Sequence, residues 1–373
     1  MNSKHRKNGL KGWFSQVWNY VWDRGWRRRI GFIILAVLIV FTGSMYGVAQ
    51  WYIQRHKSQP LVLGATFVPG YAQSFGLDPK DTLKAMLSDL KLKQVRLVSY
   101  WEDIEPTPGK YDFSQLDWQF AMANKYGAKV SLSIGLRQPR WPECHEPDWA
   151  KAEPKSQWEP QLFKFIGAVE NHYKNNPALG DYELENEFFL KVFGLCTDFD
   201  RQRLINEYNF VKAMDTKHQV IVSRSDNWVG IPVGQPTPDE FAISVYKRVW
   251  DATFTHRYFE YPLPAWFYAS LAGSEELLSG KDMIIHELQA EPWTPNGKQI
   301  TEISVNEMYK SMNPQRLKDR IDYGEATGMR TIDLWGAEWW YYMKVKQHDP
   351  GVWNVVKNAV AQADADNAGL ARN

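Results

Sequence analysis

Cysteine is almost missing from this chain: its 373 residues include two, Cys144 and Cys196. One disulfide is the most they can form, so a disulfide framework cannot hold the fold. Nucleotide and metal signatures are missing as well. There is no Walker A run, no H-E-x-x-H and no EF-hand loop. The turn after the first strand-like run, GATFVPG (64–70), lacks the G-x-G-x-x-G spacing of a dinucleotide site. No internal repeat of roughly 20–50 residues is present, which argues against a solenoid or propeller. Acid is scarce at the N-terminus, where the first 59 residues hold one, Asp23, against ten Lys and Arg. The remainder carries 34 basic and 42 acidic residues. A mildly acidic main domain argues against nucleic acid as its partner.

What is abundant is tryptophan, 18 residues in a chain that is 14% aromatic. The indole N–H needs a partner when buried, so this many point to a binding surface as well as a core. The C–H faces of sugar rings stack on indoles, which makes carbohydrate the natural candidate. Ile30–Ala49 carries no charge over 20 residues, enough to cross a hydrocarbon core of about 30 Å as a helix. Arg27, Arg28 and Arg29 stand directly before it. The positive-inside rule puts the N-terminus in the cytoplasm and the main domain outside. The expected organisation is a basic, aromatic tail (1–29), a transmembrane helix (30–53), a linker (54–60), a catalytic domain (61–361) and a flexible tail (362–373). Phe14, Trp18, Trp22 and Trp26 recur every four residues, as in a helix lying at the interface. A cleaved signal peptide ending near Gly47–Ala49 is the alternative to an anchor. Both export the domain.

Beyond the linker, strand-like and helix-like runs alternate. Strands are expected at Leu61–Phe67, Gln94–Tyr100, Lys129–Gly135, Tyr182–Glu187, Gln219–Ser223, Phe241–Tyr246, Asp282–Leu288 and Thr331–Trp335. Helices are expected from Pro79, capped by Asp78, to Leu90, and at Leu116–Tyr126 before Gly127. Others are expected at Gln161–Tyr173, Arg201–Met214, Pro314–Ala326 and Val352–Ala363. Eight parallel β/α units make a (β/α)8 TIM barrel of about 300 residues. A doubly wound sheet is the other arrangement of such units.

Catalytic groups in such barrels sit at the C-terminal ends of the strands. The fourth strand ends Glu185-Asn186-Glu187 and the seventh His286-Glu287. Two carboxylates across a barrel mouth are what retaining glycoside hydrolysis uses, about 5–5.5 Å apart. This arrangement resembles clan A of the glycoside hydrolases, over essentially all of residues 61–361. The segment Trp101-x-x-Ile104-Glu105-Pro106-x-x-Gly109-x-Tyr111-Asp112-Phe113 is similar to that clan's run after the second strand. The resemblance implies Glu187 as acid/base, Glu287 as nucleophile and Asn186 on the sugar 2-hydroxyl. It also implies Arg96 beside the nucleophile, Tyr246 touching it, and Trp335 under the cleaved sugar. Trp101 is taken as a further substrate contact, and Trp141, Trp293, Trp339 and Trp340 as candidate subsite walls.

Alternatives remain for several of these. Glu291 in QAEPW is the other candidate nucleophile. Glu185 shares a face with Glu187 and is expected lower in the barrel as a structural acid. His286 should alternate away from Glu287 towards the helices. Arg96 and Trp335 could each be core residues. Cys144 and Cys196 fall in neighbouring mouth loops, where a disulfide would close about 50 residues, although free thiols are the alternative. The function expected is a membrane-tethered retaining β-glycosidase acting on an oligo- or polysaccharide, with no metal or cofactor. A transglycosylase using the same covalent intermediate, and a non-catalytic glycan-binding barrel, are the rivals. Sugar, linkage and oligomeric state are not legible.

Overall fold

The computed structural model describes residues 25–225 and 234–372, together with residue 16. Eight parallel strands close a barrel: β1 (Val62–Phe67), β2 (Gln94–Val98), β3 (Lys129–Ile134), β4 (Leu179–Leu184), β5 (Gln219–Arg224), β6 (Glu240–Val245), β9 (Met283–Gln289) and β10 (Thr331–Trp335). Their order around the barrel follows the chain, and β10 pairs with β1. The TIM-barrel expectation therefore holds. Between β6 and β9 an antiparallel ribbon, β7 (Arg248–Asp251) and β8 (Arg257–Glu260), rises from the mouth.

The strands alternate in a way that divides the interior. In β3, Val130, Leu132 and Ile134 join the apolar core, while Ser131 and Ser133 bond Asp181 and Glu183 inside the barrel. The period of two along a strand sends every second side chain inward, so this barrel is filled by polar residues. Gly64 leaves room for one of them, since a Cβ there would stand 2.0 Å from the Asp333 carboxylate.

One strand breaks the alternation. Pairing of β9 with both neighbours shifts around His286, because Ile243 faces Ile285 but Ser244 faces Glu287. Such a bulge adds one residue to the strand. His286 therefore turns inward rather than towards the helices as expected. Its ring lies 3.1 Å from Ser131, and 3.4 Å from both Glu183 and Asp333.

The helix from Pro79 to Ser88 is capped by Asp78, whose side chain accepts from the Asp81 amide. The helix Ser114–Tyr126 stops at Gly127, whose φ of 70° suits the left-handed conformation. Two helical expectations need correction. The closing helix runs from Gly351 to Leu370, well into the stretch expected to be a flexible tail. Asn367 holds it by bonding both the N–H and the C=O of Leu61. The helix Ala265–Ser279 had no counterpart in the sequence reading. It is apolar on several sides because it is packed on two, against the barrel and against the N-terminal helix, and so it shows no clear single-sided period.

That N-terminal helix, α1, runs unbroken from Trp26 to His56, so the expected linker is helical for its first three residues. Arg28–His56 is long and apolar enough to cross a membrane, with a mean hydropathy of 2.3 over its most apolar window. The expected interfacial stripe at Phe14, Trp18 and Trp22 lies outside the described residues. From Met45 onward α1 docks on the barrel. Ala49, Tyr52 and His56 are buried, at the spacing that lines one helix face. The Tyr52 hydroxyl donates to Asp282 at 2.6 Å, and His56 and Arg55 meet Glu276 at 2.8 and 2.6 Å. Gly273 admits the Val48 and Tyr52 side chains at a distance no larger residue would allow.

Candidate active site

Inside the mouth, one arginine organises the acids. Arg96 on β2 is fully buried. Its Nε and Nη2 donate to the two oxygens of Glu183 at 2.8 and 2.6 Å. Nη1 donates to Glu287 Oε1 at 2.7 Å, and Nη2 also donates to Asn186 Oδ1 at 2.8 Å. A buried charge persists only when paired and bonded in this way. Burial works against ionising Glu183, yet the Arg96 charge and the neighbouring His286 ring hold it well below the usual carboxylate range. Glu183 is therefore the structural acid beneath the site. Glu185, expected in that role, leaves the barrel interior instead. It accepts from the Leu136 and Arg137 amides and from Arg203 on the helix Arg201–Met214.

Glu287 on β9 has both oxygens engaged, Oε1 by Arg96 and Oε2 by the Tyr246 hydroxyl at 2.7 Å. Glu187 lies across from it, three residues past the end of β4. Its backbone takes a φ of 44°, its amide donates to Ser223 Oγ at 2.9 Å, and its Oε1 has no hydrogen-bond partner among the described residues. Burial raises the Glu187 pKa, and the negative charges of Glu287 and then Glu143 raise it further. One carboxylate is thus gripped by a cation and a hydroxyl, and the carboxyl facing it is pushed upward by burial and like charge.

Asn186 sits between Arg96 and a further buried carboxyl, Glu143, to which its Nδ2 donates at 3.1 Å. Burial pushes the Glu143 pKa up to about 7. Sequence reasoning passed over this residue, although it adjoins Cys144. The disulfide Cys144–Cys196 is formed, with Cα atoms 5.2 Å apart, and it fixes the two loops that carry Glu143 and the chain beyond Glu187. Gly194 packs so closely on Glu143 that a Cβ would stand 2.8 Å from its side chain.

A second cage stands beside the first. Arg140 lies between the rings of Tyr71 (3.4 Å) and Trp335 (4.0 Å). It donates to Glu291 at 2.6 Å, and the Tyr71 hydroxyl bonds the same carboxylate at 3.1 Å. Trp335 ends β10 at the mouth, with Arg140 over its ring.

The tryptophans divide sharply. Trp101 is buried in the core, its Nε1 donating to Glu105 at 2.7 Å and its ring stacked near Phe165, so it offers no face to a substrate as had been expected. Trp339 and Trp340 are buried likewise, their N–H groups directed at Met308 Sδ and the Ala290 carbonyl. Trp293 is exposed and meets Tyr246 edge-on at 5.9 Å, while Trp141 is 60% exposed on the rim. A groove of about 670 Å³ runs between the β7–β8 ribbon and residues 295–310, lined by Arg248, Arg257, Lys298 and Lys310 among others. It is separate from the carboxylate pair.

Residues 79–159 match the family model described as Beta-galactosidase, Glyco_hydro_42. No curated protein sequence matches significantly. Among solved structures the chain is similar to GH5_18 from Bifidobacterium longum subsp. longum ATCC 55813, with a TM-score of 0.55 and 12% identity over 82% of this chain and 79% of that one. A variant of that protein, in complex with Manb1-4GlcNAc, gives 0.54 and 11% over 81% and 78%. An exo-beta-1,4-mannosidase from Opitutaceae bacterium strain TAV5 gives 0.53 and 14% over 82% of this chain and 60% of that one.

Proposed function

We propose, from the premise that this chain is a clan A glycoside hydrolase, that it cleaves a β-linked glycan with retention and works outside the membrane that α1 crosses. The observation that carries the reading is the pairing of a caged carboxylate, Glu287, with a carboxyl raised by burial, Glu187. In the first step Glu287 attacks the anomeric carbon. The bond to the leaving oxygen breaks as Glu187 gives that oxygen its proton. In the second step Glu187 takes a proton from water, the water oxygen bonds the anomeric carbon, and the bond to Glu287 breaks. Asn186, positioned by Arg96 and Glu143, faces the 2-hydroxyl, where a hydrogen bond strengthens in the transition state. Trp335 floors the cleaved-sugar subsite, and Trp293 supplies an aromatic wall.

The membrane reading rests on the same helix. A signal peptidase cutting near Ala49 would remove residues whose side chains pack on the helix Ala265–Ser279. An uncleaved anchor keeps that contact, with the Arg-rich end in the cytoplasm.

The test uses the full chain in detergent with a panel of 2-deoxy-2-fluoro glycosyl fluorides, read by peptide mass. A covalent sugar on the peptide at Glu287 is the expected result. A label on Glu291 would move the nucleophile, and inverted product would end the double-displacement reading.

A further inference from the structure

We infer that the barrel mouth is pressed against the membrane that α1 crosses, with apolar rim side chains in the headgroup layer, and that the glycan it takes is the saccharide headgroup of a lipid in that membrane. The substrate half of this inference rests on the proposed glycosidase activity. The orientation rests on the packing of α1 alone.

The helix Ala265–Ser279 leaves the mouth after β6 and descends to the opposite end of the barrel, where β9 begins. The docked part of α1 runs alongside it in the same direction. Tyr46 meets Trp266 near the top at 5.7 Å, Val48 and Tyr52 meet Gly273 in the middle, and His56 meets Glu276 near the bottom. The residues before Met45 therefore continue past the mouth, not past the base. No proline interrupts α1 to redirect it.

Length then sets the distance. Between the three arginines and the first docked residue, Met45, lie Ile30–Ser44, which rise only about 22 Å as a helix against a hydrocarbon core of about 30 Å. No spacer separates the span from the domain, so the bilayer reaches the level where Tyr46 packs on Trp266. Aromatic pairs of this kind suit the membrane interface.

The rim is dressed for that position. Phe254, at the tip of the ribbon that follows β6 at the mouth, is 87% exposed. Across the mouth, Trp141, Val192, Phe193 and Leu195 form an exposed apolar lobe. Trp141 meets Phe193 edge-on, and the Leu195 amide donates to the Pro142 carbonyl at 2.9 Å. The Cys144–Cys196 disulfide ties the lobe together, so presenting it requires little ordering. Among the described residues, comparable exposure at the barrel's other end is confined to Leu277, Leu278 and Leu370. Exposed apolar side chains on two sides of the face that carries Glu187 and Glu287 mark a docking surface, and the helix dictates that the surface met there is lipid.

A saccharide carried by a lipid of the same membrane reaches such a mouth by lateral diffusion, at an effective concentration far above that of a dissolved one. The full chain is reconstituted in vesicles of phosphatidylcholine and phosphatidylglycerol. Both native cysteines are bonded to each other, so an added one takes an environment-sensitive fluorophore selectively. Labelled Phe254→Cys should shift to the blue and be quenched by doxyl lipids, while labelled Leu278→Cys should do neither. A water-exposed label at Phe254→Cys overturns the docking. The aryl β-glycoside cleaved fastest by these vesicles then identifies the sugar. The same sugar β-linked to diacylglycerol in the bilayer should be cleaved about tenfold faster or more than its free methyl glycoside. The double variant Phe254→Asp, Leu195→Asp should lose that advantage and keep its aryl glycoside rate. A buried label with equal rates on both sugars overturns the lipid-borne substrate while leaving the glycosidase intact. A buried label with no turnover of any glycoside overturns the glycosidase reading and, with it, the substrate.

Discussion

Two cages at the mouth have the same parts, an arginine, a tyrosine and a glutamate. In one, Arg96 and Tyr246 hold Glu287 at 2.7 Å each. In the other, Arg140 and Tyr71 hold Glu291 at 2.6 and 3.1 Å. Composition does not tell them apart, but their surroundings do. Glu287 faces Glu187, a carboxyl whose pKa burial raises and whose Oε1 has no partner among the described residues, and Arg96 also bonds Asn186. The arginine of the Glu291 cage is covered by aromatic rings on both sides and borders Glu338, whose pKa burial raises to about 7. On the proposed reading it is what each carboxylate faces that makes Glu287, and not Glu291, the nucleophile.

The largest expected break in the comparison is in rate. Glu287→Gln should lower kcat for an aryl glycoside by about 10⁴-fold, as loss of a member of a concerted catalytic set does. Glu291→Gln should keep most of the rate. Equal losses in the two variants would erase the distinction. In stability the order is set by burial. Arg96→Met strands Glu183 and Glu287 and should cost about 3–5 kcal/mol in thermal or denaturant unfolding of the full chain. Arg140→Met, at a partly exposed site, should cost about half of that.

The pH dependence sharpens the contrast further. Glu187 must be protonated to act as an acid, and its pKa is raised, so its loss of the proton should lower kcat on poor leaving groups only on the alkaline side of neutrality. Glu187→Gln should remove that limb for a leaving group that needs no proton. Glu143 and Glu338, both raised to about 7, act on stability with a defined sign. Between their unfolded values near 4 and pH 7, the unfolded chain loses protons that the folded one keeps, so stability falls as pH rises through that window. Glu143→Gln should flatten the fall in Tm. The smallest effect should come from an exposed ring. Trp293→Ala should raise KM about tenfold or less, the worth of one stacking contact, and leave Tm nearly unchanged.

The two kinds of tryptophan show where sequence reasoning stopped. Trp101 and Trp293 both follow barrel strands, and both were reasonable sugar platforms. Only the position of Phe165 and Glu105 around the first, and of open solvent around the second, separates them. His286 is a parallel case. Strict alternation sends it outward, and a single extra residue in β9, set by pairing with β6 and β10, turns it in. The helix Ala265–Ser279 escaped notice because its burial on two sides erases the one-sided pattern by which helices are recognised.

By itself the sequence determined the eight strands, the placement of Asn186, Glu187 and Glu287 around their ends, and the apolar length of α1. Each is a local pattern, written in the spacing of residues along one segment. The tertiary structure alone decided which acids share Arg96, that Glu143 belongs to the mouth, that Arg140 and Tyr71 cage Glu291, and that Cys144 meets Cys196. It also decided which end of the barrel α1 leaves from. All of these depend on distances between segments far apart in the chain, which closure of the barrel sets and no single segment records.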